Sequence, residues 1–167
     1  MIYLKQITDK EDLFTLQKLA IEIFPHTYKS ILSQEQIDYM MNMMYSSDIL
    51  NIQFNSANQT FYLVLSQNVP VGYCAIEFES DKAALIIQKL YLLPRLQGQG
   101  LGKCIMNQII NIARELHPPV RIVRLYVNRY NQAKNFYLNY GFNIAEERDN
   151  PIGEDYFMND YIMEYAL

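Results

Sequence analysis

Apolar residues from Ile2 to Ile7 form a short strand-like run, and Thr8-Asp9-Lys10-Glu11 then supplies the side chains of a capping box. Leu13, Leu16, Leu19, Ala20, Ile23 and Phe24 recur at helical spacing as far as Pro25, whose missing N–H predicts that the helix stops there. A second capping box, Ser33-Gln34-Glu35-Gln36, opens a helix with Ile37, Met40, Met41 and Met44 on one face and Tyr39 and Met43 beside it. Ser46 to Gln59 is polar and reads as a connection.

Phe61 to Leu65, Val71 to Phe78 and Leu85 to Leu93 then carry strand signals. Gln67-Asn68-Val69-Pro70 lies between the first two as a turn, so an antiparallel meander is expected. The period changes at Leu101, Cys104, Ile105, Ile109, Ile112, Ala113 and Leu116, an amphipathic helix stopped by Pro118-Pro119. A strand from Arg121 to Val127 leads to Ala133, Phe136, Tyr137 and Tyr140 on a helix, with Gly141 at its expected C-terminal cap. Two final strands, Phe142 to Glu147 and Tyr156 to Tyr165, complete a mixed α/β unit. Neither a repeat nor a linker interrupts it, so residues 1–167 are expected to form one domain.

Composition narrows the function classes. Half of the 167 residues are hydrophobic and 19% are charged, which is ordinary globular usage. The formal charge of -4, with its 14 basic residues scattered, offers no footprint for a phosphate backbone, so nucleic acid is not an expected partner. No basic start followed by an apolar stretch and no long apolar run occurs, which leads to the expectation of a soluble, cytoplasmic protein without a membrane partner. A homodimer stays open. Cys74 and Cys104 read as two small buried hydrophobes, and no cluster of His, Cys and carboxylates has the spacing of a metal site.

The strongest chemical signal is Gln97-Gly98-Gln99-Gly100-Leu101-Gly102-Lys103, placed between a strand and a long helix. Glycines let the backbone approach a ligand closely, and the first turn of a helix presents unpaired N–H groups with the positive end of the macrodipole. That combination binds anions and suits a pyrophosphate. A Walker loop is excluded because Gln97 and Cys104 stand where its first Gly and its Ser or Thr belong. The dinucleotide fingerprint fails at Lys103, where its third Gly is required.

Gln97-x-x-Gly100-x-Gly102 resembles the signature of the GNAT superfamily of N-acetyltransferases, and Asn131-Gln132-Ala133 with Phe136-Tyr137-x-x-x-Gly141-Phe142 resembles its downstream partner. More loosely, the first helix and the Asp160-Tyr161-Ile162-Met163 ending are similar to bacterial polyamine N-acetyltransferases of the Pai type. The resemblance implies the GNAT fold: a largely antiparallel central sheet of about seven strands flanked by about four helices. It implies acetyl-CoA as the bound cofactor and direct acetyl transfer to a primary amine of a small molecule, with a polyamine as one candidate.

Carried onto this chain, the resemblance assigns the pyrophosphate to Gly98, Gln99, Gly100, Leu101, Gly102 and Lys103, with Gln97 fixing the loop entrance. Backbone groups of Leu90, Tyr91 and Leu92 are expected along the pantetheine arm, the Leu92 N–H polarising the thioester carbonyl as an oxyanion-hole donor. Asn131 is expected to hydrogen-bond that arm, with Ala133 and Lys134 beside it, and Tyr137 to protonate the leaving thiolate. Some members carry a glutamate base where this chain has Gln88, which cannot take a proton at neutral pH. Glu77, Glu79 and His26 are then candidate bases. The acceptor site is expected from Tyr28, Gln36, Tyr39, Met40 and Gln88, with the tail residues Tyr156 and Tyr161 closing it. Two other readings stay open: a protein or peptide N-acetyltransferase, and a non-catalytic CoA-binding module.

Overall fold

The computed structural model describes residues 1–167. Its strands are β1 (Ile2–Gln6), β2 (Gln59–Ser66), β3 (Val69–Glu79), β4 (Ala84–Leu92), β5 (Ile122–Asn128), β6 (Asn143–Gly153) and β7 (Tyr156–Ala166). They form one sheet in the order β1-β2-β3-β4-β5-β7-β6, antiparallel throughout except where β4 runs parallel to β5. The helices are α1 (Lys10–Tyr28), α2 (Gln34–Tyr45), α3 (Ser47–Phe54), α4 (Leu101–Glu115) and α5 (Ala133–Tyr140). No helix is long and apolar enough to cross a membrane.

Both runs start a helix, but as simple N-caps: Asp9, one place after Thr8, accepts from the Asp12 N–H and Ser33 from the Gln36 N–H, while the Gln36 side chain goes to the Phe157 carbonyl and does not return to the cap. Gln67 and Asn68 turn the β2–β3 hairpin with positive φ, a conformation that Asn tolerates better than most residues.

Three local expectations are corrected. The first helix passes through Pro25 and continues to Tyr28. The bond removed by the proline would have gone to the carbonyl of Ile21, which lies on the exposed side of the helix, while Tyr28 is buried and anchors the last turn. The stretch read as a connection contains α3, whose Leu50 is buried. On α4 the buried face is Ile105, Met106, Ile109, Ile110 and Ala113, so Cys104 is exposed and only Cys74 is a buried hydrophobe.

The face of the sheet under α1 and α2 holds an aromatic cluster. Phe24 packs against Tyr28, Tyr45 and Tyr91 with ring centroids 4.5, 5.6 and 6.1 Å away, and Tyr45 shares a 2.8 Å hydrogen bond with Tyr73. Buried tyrosines need such partners, because an unpaired hydroxyl in an apolar core costs roughly 1–3 kcal/mol. On the other face α4 and α5 pack together. The ring of Phe136 lies 3.2 Å from where a Gly102 Cβ would stand, and the Tyr140 hydroxyl donates to Asn107 at 2.7 Å.

Candidate active site

The cleft follows from strand pairing. β4 and β5 are bonded only from Ala84 opposite Ile122 to Ile87 opposite Leu125. Past that point β4 stays with β3 as far as Leu92, and β5 stays with β7 as far as Asn128, so the two strands splay apart. A bulge helps: Ala75 faces Lys89 and Ile76 faces Ile87, leaving Gln88 as the extra residue that bends β4. The opening is a cavity of about 790 Å³ lined by the facing parts of β4 and β5, the glycine loop, α5 and the end of α1. Backbone groups along the splayed edges lack the strand partner a continuous sheet would provide.

The loop at the mouth is built for close approach. Gly98 and Gly100 both have φ of +76°, which L side chains rarely adopt, and a Cβ on either would meet no protein atom within 4 Å. Their glycine identity therefore answers to backbone shape and to open space above it. Gly102 differs, since its missing side chain admits Phe136 and sets the contact between α4 and α5. Gln97 donates to the Leu92 carbonyl at 3.1 Å, tying the loop to the end of β4. From Gly98 to Gly102 no N–H finds a backbone acceptor, and Gly100 caps α4 without a side-chain bond, so the first turn points its donors and its dipole at the cleft.

At the inner wall, Tyr137 on α5 is 8% exposed and lines the cavity, and its hydroxyl makes no hydrogen bond to the protein. Burial, with smaller contributions from Tyr28 and Cys74, pushes its phenol well above the ordinary tyrosine range. Tyr28 reaches in from α1, its hydroxyl 3.2 Å from that of Tyr91. Asn131 accepts from the Ala133 N–H through Oδ1 at 2.9 Å, which leaves its side-chain NH₂ free to donate into the cleft.

Of the residues expected to hold the cofactor, Leu90, Tyr91, Leu92, Gln97, Gly98, Gly100, Gly102, Lys103, Asn131, Ala133 and Tyr137 line this one cavity. Gln99 turns away to the Arg95 carbonyl, Leu101 begins α4 outside the lining, and Lys134 bonds the Arg129 carbonyl with its ammonium over the Tyr161 ring. Tyr28 and Gln88 border the cleft, but Gln36, Tyr39 and Met40 do not. Gln36 donates to the Phe157 carbonyl, Tyr39 donates to the Ile152 carbonyl and packs on Tyr156, and Met40 is buried, so these residues join α2 to the β6–β7 hairpin. None of the candidate bases lines the cavity. Glu77 receives a 2.7 Å bond from the Gln88 amide, Glu79 pairs with Lys82, and His26 is exposed on the last turn of α1.

Lys89 was missed by sequence reasoning. It lines the cavity at 7% exposure, over the rings of Tyr45 and Phe61, and burial lowers its ammonium to about 8. The signal was a lysine after Gln88 in a strand whose other residues are apolar or aromatic.

Residues 57–144 match the model of the acetyltransferase (GNAT) domain, a span that includes the splayed strands, the glycine loop and α5. The chain is 30% identical over 159 residues to a spermidine N(1)-acetyltransferase of Thermoplasma acidophilum, covering 92% of this chain and 91% of that one. It is 25% identical to the PaiA N-acetyltransferase of T. acidophilum solved with coenzyme A, at a TM-score of 0.80 over 100% of this chain and 99% of that one. Mutant forms of the Vibrio cholerae spermidine/spermine N-acetyltransferase SpeG superpose with a TM-score of 0.70 at 16% identity over 99% and 93% of the two chains, a likeness of fold. With the domain match covering more than half of the residues and the first of these relatives matching nearly end to end, the chain belongs to the GNAT family of acetyltransferases.

Proposed function

We propose that this acetyltransferase moves the acetyl group of acetyl-CoA directly to a primary amine of a small cationic molecule, a polyamine being the best-supported class. The observation that carries the reading is the splayed β4–β5 cleft, which joins a loop of unpaired N–H groups at one end to a tyrosine hydroxyl without a protein partner at the other. The loop fits a pyrophosphate by its open donors, and the free strand edges suit an extended arm of amides. Acetyl-CoA supplies the thioester and a thiol leaving group.

The chain's own residues then have separate tasks. N–H groups from Gly98 to Gly102 hold the phosphates under the helix dipole. Leu90, Tyr91 and Leu92 position the arm, and the Leu92 N–H donates to the carbonyl oxygen as charge builds there. Tyr137 donates to the departing sulfur. Because an ordinary thiol titrates at about 8.5 and Tyr137 is raised beyond the normal tyrosine range, complete transfer of its proton to a thiolate is uphill. Its contribution is a hydrogen bond that strengthens as the charge develops, which places it toward the lower end of general-acid effects, about 10²-fold.

Support for a polyamine acceptor comes from the T. acidophilum relative named for spermidine and from the aromatic wall of Tyr28 and Tyr91, which suits an alkyl ammonium. The test is incubation with acetyl-CoA and a panel of polyamines, amino acids, aminoglycosides and peptides. Acetylated spermidine or a related diamine is the expected product. Acetylation of peptides alone overturns the small-molecule reading, and CoA binding without transfer to any amine reduces the chain to a binding module.

A further inference from the structure

Tyr28 and Tyr91 both line the cleft and meet hydroxyl to hydroxyl at 3.2 Å, and neither hydroxyl bonds any other group of the protein. Tyr91 stands between Leu90 and Leu92 on β4, and strand alternation turns it to the face under α1, where its ring lies 6.1 Å from Phe24 and 5.3 Å from Tyr73. Tyr28 ends α1, with its ring 4.5 Å from Phe24. The rings are therefore fixed by packing while the hydroxyls share the cleft. Because α4 and α5 cover the opposite face of the sheet, the cavity between the splayed strands joins the phosphate loop on that side to the two phenols on this one.

A count of donors and lone pairs shows what the pair lacks. Each phenol carries one proton and two acceptor sites, and the shared bond uses one proton and one acceptor site. One O–H and three acceptor sites are left, in a place where Tyr28 is 4% exposed, so a ligand that meets them recovers hydrogen bonding that burial has removed. A neutral primary amine brings the complementary set: two N–H donors, and one lone pair that has to stay free for attack. A nitrogen about 3 Å from both oxygens would form a nearly equilateral triangle with them, and its two N–H bonds could each reach one oxygen with a modest bend. The lone pair then points away from the phenols.

We propose that the Tyr28–Tyr91 hydroxyl pair accepts both N–H bonds of the acceptor amine, which aims its lone pair at the thioester carbon and selects primary amines over secondary ones. This role deepens the amine-acetylating reading above and rests on it. A neutral secondary amine has a single N–H, so one phenol goes unmatched and meets an alkyl group instead. The amine reacts in its neutral form. Its lone pair forms the C–N bond as the C–S bond breaks, the electrons leave on sulfur beside the Tyr137 hydroxyl, and one N–H proton passes to solvent while the other stays on the amide. Burial raises both phenols above the ordinary tyrosine range, so they remain neutral and orient the amine without deprotonating it.

The test compares the full-length parent with Tyr28→Phe on two acceptors: spermidine, and spermidine methylated once at each terminal nitrogen so that every nitrogen is secondary. The parent should favour spermidine by about 10-fold or more in kcat/KM. Tyr28→Phe keeps the ring against Phe24 and should lose roughly 3-fold to 10-fold with spermidine, the worth of one neutral hydrogen bond. With the methylated amine, whose one N–H can use Tyr91, the loss should stay under about 2-fold, so the preference narrows. The KM for acetyl-CoA and the affinity for CoA by calorimetry should be parental. A purely structural hydroxyl would lower both amines alike. Equal losses on the two amines, a spermidine kcat/KM equal to the parent's, or a variant that no longer folds or binds CoA each overturn the proposal. Where neither enzyme turns over the methylated amine, the spermidine loss at parental acetyl-CoA KM decides. A parent that acetylates no amine removes the amine reading itself, and this role with it, whereas a parent and a Tyr28→Phe variant equally active on spermidine leave that reading standing and remove the role alone.

Discussion

Replacing Gly100 by alanine separates backbone shape from packing at the phosphate loop. Gly100 has φ of +76° and ψ of -3°, and a Cβ there meets nothing within 4 Å, so the added methyl costs the fold no steric clash. What it costs is the left-handed conformation, roughly 1–2 kcal/mol for a residue with a β-carbon. In the free protein the loop can relax to negative φ, and the Tm should move by no more than a few degrees, since alanine also restricts the unfolded chain by roughly 0.4–1 kcal/mol in its favour. On binding, the N–H groups must return to their positions, so the strain appears in the affinity. At about 1.4 kcal/mol per tenfold, CoA binding should weaken by about 5-fold to 30-fold, and more if the methyl occupies space a phosphate needs. Calorimetry with coenzyme A on the folded variant measures this directly. An unchanged affinity with an unchanged Tm would refute the assignment of this loop to the cofactor.

Lys89→Met should stabilise the protein at neutral pH. The folded-state ammonium is lowered from 10.5 to about 8, so the burial cost is present in full below about pH 8 and disappears as pH rises toward 10.5, where the unfolded chain binds the extra proton. The shift sets an upper bound of about 3 kcal/mol on the gain, and denaturant titrations at pH 7 and 10 should show the parent closing the gap on the variant. Gly72→Ala should act oppositely, because its Cβ would lie 2.3 Å from the Tyr91 carbonyl oxygen and 2.8 Å from a Leu92 methyl. A fall in Tm corresponding to about 1–3 kcal/mol, together with weaker CoA binding from the displaced β4 edge, is expected, and a variant with parental Tm would contradict the close β3–β4 approach.

Local chemistry was the part of this protein that the sequence made readable. Capping at Asp9 and Ser33 and the strand-to-helix glycine loop depend on residues within a few positions of one another, and each appears where the sequence places it. The misreadings all required tertiary knowledge. Pro25 leaves α1 unbroken because Tyr28 and its aromatic neighbours hold the last turn, and Cys104 belongs to the helical face turned away from the sheet. Gln36, Tyr39 and Met40 were expected at the acceptor site, but whether that part of α2 meets a cleft or a hairpin depends on where β6 and β7 return. Asp160 entered the sequence reading only as part of the Asp160-Tyr161-Ile162-Met163 ending, and only the pairing of Arg129 and Arg148 with other acids shows its Oδ1 to be without a partner.

The proposed chemistry depends most on the phenol of Tyr137. Tyr137→Phe removes one oxygen and keeps the ring that packs at 5.2 Å from Phe136 and 5.7 Å from Phe142, so Tm and CoA affinity should be nearly unchanged. Since product release can mask chemistry in steady-state kcat, the informative measurement is the single-turnover rate of acetyl transfer to spermidine from enzyme preloaded with acetyl-CoA. A fall of about 10²-fold with parental CoA affinity is the predicted result. A single-turnover rate equal to the parent's would contradict it, leaving Tyr137 as core packing and the thiolate to be protonated by solvent.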